Sequence, residues 1–154
     1  MSNVLIGIIG VILFIGLALA GALFLGPRFQ DATINSRAAS EMQHVAQYAN
    51  AIAMFQLQEG EKYSDSKKAR LIPAYLKEEP ITPGGIVQSG YDQVNGFVLM
   101  MLAGKTSDVN RRICESIQRT KTGSPTIPVV ATAADLSDGG CMLLGDSYAV
   151  YQKV

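Results

Sequence analysis

The sequence has no excess of charge of either sign and few residues suited to catalysis or metal binding. Its 154 residues include 13 basic and 13 acidic side chains, so the formal net charge is zero. Nucleic-acid-binding domains normally carry a basic excess, and we therefore expect no nucleic-acid partner. One histidine, His44, and two cysteines without a CxxC spacing argue against a four-ligand zinc site and a thioredoxin-like redox pair. No nucleophile pairs with a base in the sequence, so we predict no enzyme, no cofactor and no metal.

Charge is also missing from the whole N-terminal segment, where the first charged side chain is Arg28. Residues 4–25 are an uninterrupted run of Val, Leu, Ile, Phe, Ala and Gly. As a helix this run is about 33 Å long, enough to cross the hydrocarbon core of a bilayer. A secretory signal peptide has a basic start and a shorter apolar core, and the sequence has neither. We therefore predict a retained transmembrane segment over residues 1–27.

Small residues recur in this segment. Ala18, Ala22 and Gly26 are spaced four apart, and Gly16 precedes them. Small side chains allow helix backbones to approach closely in lipid, although glycine is also simply common in membrane helices. We predict that Gly16, Ala18, Ala22 and Gly26 contribute to helix–helix packing. Gly26 and Pro27 together predict a break or kink.

The remaining residues, 28–154, are predicted to form one α+β globular domain. Residues 31–58 have apolar positions at helical spacing, with Asp31 and Thr33 as possible N-terminal caps and Gly60 as the stop. Later segments alternate between strand and helix patterns. We predict a buried strand at residues 97–102, a helix that Ser107 caps, a strand at residues 128–133, a turn at residues 138–140 and a last strand around residues 148–151. The fold class is thus a long N-terminal helix on a small antiparallel sheet of three or four strands.

The basic side chains and the cysteines predict different locations for the domain. The first basic side chains follow the apolar segment, and the positive-inside rule, taken literally, puts the domain in the cytoplasm. Cys114 and Cys141 favour a structural disulfide, which contributes on the order of 3 kcal/mol and persists outside the cytosol. The two cysteines therefore favour a periplasmic or extracellular domain.

The order of these features resembles that of type IV pilins and pilin-like proteins. Residues 26–30 (Gly-Pro-Arg-Phe-Gln) join an apolar half-helix to an amphipathic one, and residues 71–83 are similar to the proline-containing region after the pilin helix. Cys114 on a helix and Cys141 before the closing strands are most similar to the type IVb branch. The resemblance covers most of the chain, and its specificity comes from the order of the motifs.

This resemblance implies a structural subunit of a type IV pilus or related filament. Such a subunit is held in the inner membrane by its apolar helix, with its domain in the periplasm, and then joins an extracellular filament. Its implied partners are further copies or other pilins, the inner-membrane assembly machinery and membrane lipid. The alternative is a signal-anchored periplasmic binding or assembly factor that does not polymerise.

One departure from the family pattern concerns residue 5. Pilins usually have glutamate at the fifth mature position, whereas this sequence has Leu5 and no acidic residue before Asp31. Family members without that glutamate include tip or initiator subunits, which leaves major, minor and pseudopilin roles open. A leader that was removed before Met1 would also resolve the conflict over orientation.

Overall fold

A computed structural model describes residues 2–80, 89–102, 107–129 and 136–154, with backbone alone at residues 2, 3, 24, 25 and 27. The chain divides into two compact units, residues 1–33 and residues 34–154. Helix α1 (Ser2–Glu59) contributes to both. The first unit is the N-terminal part of this helix, and the second contains the rest of it together with the sheet. The predicted α+β class is confirmed.

Helix α1 is 58 residues long and passes through Gly26 and Pro27 without interruption. The predicted break there is therefore wrong, whereas a kink stays a prediction. Membrane-type helices tolerate Gly and Pro where local adjustments of the helix, side chains or neighbouring helices satisfy the backbone groups that proline leaves unbonded. The predicted start near Asp31 is also wrong, because residue 31 is inside the helix and the Thr33 hydroxyl donates to the Phe29 carbonyl.

The C-terminal part of α1 contributes one face to the core of the second unit. Its buried apolar residues recur at three- and four-residue spacing, as the sequence predicts: Ala38, Val45, Ala49, Ile52 and Phe55. The helix ends where Gly60 adopts a φ of 67° and its amide donates to the Gln56 carbonyl. Glycine is favoured in this left-handed conformation because it has no Cβ to clash with the backbone.

A connector after α1 folds back against the helix. It contains a 3-10 turn at Asp65–Lys67 and a short helix α2 (Lys68–Leu71), followed by a cis peptide bond between Ile72 and Pro73. Residues 81–88, which follow the connector, lie outside the described ranges.

Four antiparallel strands form one open sheet in the order β1-β2-β4-β3. They are β1 (Ser89–Asp92), β2 (Phe97–Met101), β3 (Gly139–Leu144) and β4 (Ser147–Lys153). Gly96 closes the β1–β2 hairpin with a φ of 70°, and its amide donates to the Asp92 carbonyl. The predicted buried strand and the predicted last strand are both confirmed. Val98, Met100 and Val150 pack from the sheet into the same core as α1.

Helix α3 (Ser107–Thr122) begins at the predicted residue and buries Ile113 and Ile117. The predicted turn at residues 138–140 is wrong, since Gly139 and Gly140 belong to strand β3. A Cβ on Gly139 would lie 2.5 Å from the Gln152 amide oxygen, and one on Gly140 would lie 2.7 Å from that of Gln118. Glycine at these two positions therefore leaves room for the Gln152 and Gln118 side chains to lie against strand β3.

Both outer strands of the sheet have a backbone group bound by another part of the chain. At the β1 side, the Tyr91 amide donates to the Asp65 carboxylate over 3.2 Å. At the β3 side, the Leu143 amide donates to the Pro128 carbonyl, and Val129 forms a parallel bridge with Leu143. This bridge is the described part of the strand that we predict at residues 128–133, and its other residues from 130 onward lie outside the described ranges.

Candidate functional site

The surface of the apolar segment is the most unusual feature of the described residues. Every side chain from residue 4 to residue 20 is exposed, and none of the most apolar stretch is buried against the rest of the chain. Its mean hydropathy is 2.8, and α1 is the one helix in the described ranges that is long and apolar enough to cross a membrane. Exposed apolar surface of this extent marks a site of contact with lipid or another protein.

Three of the four predicted packing residues lie on one side of this helix. At about 100° per residue, Ala18, Ala22 and Gly26 follow one another at steps of roughly 40° around the axis. Gly16 lies roughly 160° from Ala18, on the opposite side. Space is open within 4 Å of an ideal Cβ on Gly16 and on Gly26, so the chain itself does not occupy these positions. The structure therefore aligns Ala18, Ala22 and Gly26 and separates Gly16 from them.

A second stretch of α1, residues 42–58, also lacks charged side chains, and we call its outward side the charge-free face. No Asp, Glu, Lys or Arg occurs between Glu41 and Glu59. The outward side chains there are neutral amides and two large apolar groups: Gln43, Gln47, Asn50, Met54 and Leu57. Leu57 is 80% exposed and Met54 48%. Helix surfaces that face water normally carry charges, so this composition is typical of a surface that another helix covers.

The cysteines form the predicted disulfide. Cys114 of α3 and Cys141 of β3 are bonded, with their Cα atoms 5.3 Å apart and both side chains fully buried. Cys141 lies inside strand β3 rather than before the strand region, which corrects its predicted position. The bond joins α3 to an outer strand of the sheet.

An aromatic cluster, which the sequence analysis missed, attaches the connector to α1. The hydroxyls of Tyr48 and Tyr63 are 3.2 Å apart and buried, and the Phe55 ring meets the edges of Tyr63 and Tyr75 at centroid distances of 5.7 and 5.6 Å. Burial, together with the Tyr48 hydroxyl, raises the pKa of Tyr63. The missed signal is Tyr63, an aromatic residue within the polar residues 58–68, since a tyrosine ring needs a partner surface.

Ion pairs surround this cluster and use the basic side chains of the connector. Arg70 pairs with Glu59 and lies 5.4 Å above the centre of the Phe55 ring. Lys68 pairs with Glu79 at 2.6 Å, which lowers the pKa of that carboxyl against the opposing effect of its burial. These pairs neutralise the charges of Arg70 and Lys68 at the surface of the connector.

The residues with possible chemical roles are dispersed. In the described ranges no group of three or more His, Cys, Asp or Glu side chains is placed to hold a metal ion. His44 is half-buried on α1, where its Nε2 is 3.4 Å from the Ser40 hydroxyl. Asp135 lies outside the described residues, and the backbone carbonyl of Asp138 accepts a hydrogen bond from the Gln152 side-chain amide.

Comparison with known proteins finds no match to the chain among protein families, curated proteins or solved structures. The structure combines a long apolar N-terminal helix, a small antiparallel sheet and a disulfide. This combination is compatible with a pilin-like fold.

Proposed function

We propose that the chain is a structural subunit of a type IV pilus or related filament. The observation that carries the proposal is that one continuous helix is unburied and apolar in its first unit and forms the core of a folded domain in its second. Such a helix needs a second environment for its apolar half. Lipid provides that environment before assembly, and the helices of other subunits provide it afterwards.

Exposure of the apolar segment to water is costly in free energy. Each large apolar side chain costs about 1.5–3 kcal/mol when it is exposed to water instead of being buried. Many such side chains from Val4 to Leu23 are more than half exposed. The sum is on the order of tens of kcal/mol, more than the usual stability of a whole domain. The segment is therefore expected to remain in a bilayer or in a bundle of helices.

The charge-free face favours a filament over a lone membrane anchor. An anchor requires apolar surface only across the bilayer, whereas α1 has a second stretch without charged side chains at residues 42–58, well beyond the apolar segment. In a filament, this face packs against α1 helices of neighbouring copies. The partners would be further copies or other pilins, with the inner-membrane assembly machinery moving the subunit from lipid into the extracellular filament.

The test compares Ala22→Leu with Ala20→Leu in cells that assemble the filament. Both variants add the same apolar volume, but residue 20 lies roughly 160° from residue 22 around the helix. We expect Ala22→Leu to reduce the amount of protein in the sheared fibre fraction severalfold, and Ala20→Leu to have a smaller effect. Both should insert in the membrane and retain the folded domain.

The wild-type chain provides the reference. Recovery of wild-type protein with sheared fibres supports the filament, whereas retention in the membrane under every piliating condition supports the non-polymerising anchored factor. Equal incorporation of the two variants would contradict the role of the small-residue side of the helix.

A further inference from the structure

The exposed side chains of the charge-free face are regularly spaced along α1. They follow one another at steps of four, three, four and three residues: Gln43, Gln47, Asn50, Met54 and Leu57. At about 100° per residue, these five positions fall within an arc of roughly 80° on one side of the helix. Alternating steps of three and four residues are the repeat through which two helices pack in a left-handed coiled coil. The spacing therefore suits one further helix that lies along α1.

The chemistry of this face favours a second copy of the chain as the partner. When two identical parallel helices pack in register, each side chain at the contact faces its own counterpart, so a charged residue would meet a like charge. A partner of different sequence could use opposite charges instead. Between Glu41 and Glu59, α1 has no Asp, Glu, Lys or Arg, as self-pairing requires. An amide side chain has both donors and an acceptor, so Gln47 and Asn50 can each hydrogen-bond to the same residue of a second copy.

Insertion of the apolar segment in a bilayer would align the two copies. Copies that cross one membrane in the same direction carry residues 43–57 on the same side of it and at the same distance along the chain from the apolar segment. This stretch is about 21 Å long as a helix, which is short for pairing between freely diffusing chains. Anchoring in one membrane raises the effective concentration of the second helix and so compensates for the short contact.

We propose that two membrane-inserted copies pair in register through the charge-free face before assembly. Met54 and Leu57, 48% and 80% exposed, bury apolar surface against the second copy. Ala46 and Ala53, half-buried beside the face, are small and allow the two helix axes to approach. In a filament, successive copies are offset along the axis, and staggered contacts of the same face would replace this pairing. The inference rests on the membrane insertion in the proposed function, but it does not require polymerisation.

Disulfide cross-linking of the full chain, in the membranes of a host without filament-assembly machinery, tests the pairing. The two native cysteines are bonded to each other, so one introduced cysteine is the only free thiol. Asn50→Cys places that thiol on the charge-free face. Val94→Cys, between β1 and β2, is the control, because Val94 is 90% exposed. We expect severalfold more cross-linked dimer from Asn50→Cys than from Val94→Cys, and equal yields would overturn the proposal.

Charge variants at Gln47, which is exposed on the same face, test the register. In the Asn50→Cys background, Gln47→Glu and Gln47→Lys should each reduce the yield of dimer severalfold, because like charges then face each other. Co-expression of the two variants, with tags of different mass, should restore the yield in the mixed dimer, where opposite charges meet. Unchanged yields for the single variants, or no recovery in the mixed dimer, would contradict in-register pairing.

The membrane cross-linking and the sheared-fibre assay fail independently. A cross-linked dimer in membranes, with no wild-type protein in sheared fibres, supports the pairing and contradicts the filament. Wild-type protein in sheared fibres, with no cross-linked dimer in membranes, supports the filament and overturns the pairing. Cross-linking of Asn50→Cys to a different protein, recognised by the mass of the product, would assign the face to another partner and also overturn the inference.

Discussion

The two units differ in the exposure of their apolar side chains, with residues 1–33 as the first unit and residues 34–154 as the second. The second unit buries its own, so that Ile52 and Phe55 are fully covered by the sheet, α3 and the connector. The first unit exposes the same residue types, with Ile12 at 63% and Phe14 at 74%. Helical periodicity explains the difference, because the second stretch of α1 has polar residues on one side and the first has none.

This contrast teaches that one helix can bury its apolar side chains in one stretch and expose them in another. The second unit has a disulfide and a buried hydrophobic core. The first unit leaves its apolar side chains exposed. We therefore expect substitutions in the two units to affect different measurements, and matched pairs of variants test this separation.

The largest difference is expected for isoleucine truncation at two positions of α1. Ile52→Ala removes a fully buried side chain, and we expect it to lower the free energy of unfolding of the domain by about 3 kcal/mol through lost burial and the resulting cavity. Ile12→Ala removes an exposed side chain and should leave this free energy within about 0.5 kcal/mol of the wild type.

Urea unfolding in nanodiscs, monitored through circular dichroism of the domain, measures both variants. Similar destabilisation by Ile12→Ala would show that the first unit contributes to the stability of the domain and would remove the distinction between the two regions.

The disulfide should affect the second unit alone. Cys114→Ser removes the bond between α3 and β3, and we expect a loss of about 3 kcal/mol under oxidising conditions. The melting temperature, measured with and without a reductant, should differ in the wild type and not in the variant. An equal melting temperature for the oxidised wild type and Cys114→Ser would contradict a stabilising role.

A smaller effect is expected within the sheet. Gly140→Ala places a Cβ 2.7 Å from the Gln118 amide oxygen and 3.0 Å from the Tyr151 hydroxyl, both on buried residues, and should cost about 1–2 kcal/mol. Gly90→Ala is the matched control, because its nearest atom is an Asp65 oxygen at 3.9 Å. Thermal melting of both variants measures the difference, and equal melting temperatures would show that the sheet can absorb the added methyl group.

Local patterns predicted the buried face of α1, the position of α3 and two of the four strands, β2 and β4. The apolar spacing from Ala38 to Phe55 identified the buried face of α1, and the continuous apolar run at residues 97–102 identified β2. These features depend on periodicity alone, which a single sequence contains. The disulfide could also be predicted, because two cysteines allow only one intramolecular pairing.

The errors arose where distant residues determine the local conformation. Gly139 and Gly140 have the composition of a turn, but the glutamines at 118 and 152 need the space beside the strand that a side chain would fill. The contact of Tyr63 with Tyr48 spans 15 positions, and its geometry depends on how the connector folds back. Periodicity contains no information about either contact.

The hydrogen bond from the Tyr91 amide to Asp65, and that from the Leu143 amide to Pro128, affect how copies of this protein can join. An unoccupied border strand is a template onto which another chain can add by backbone pairing. Here the Asp65 carboxylate and the Pro128 carbonyl each accept a hydrogen bond from a backbone amide of an outer strand, so one donor on each outer strand is already bonded. Addition of a strand from another copy to this sheet is therefore disfavoured. Contacts between copies would then be made by side chains rather than by backbone hydrogen bonds.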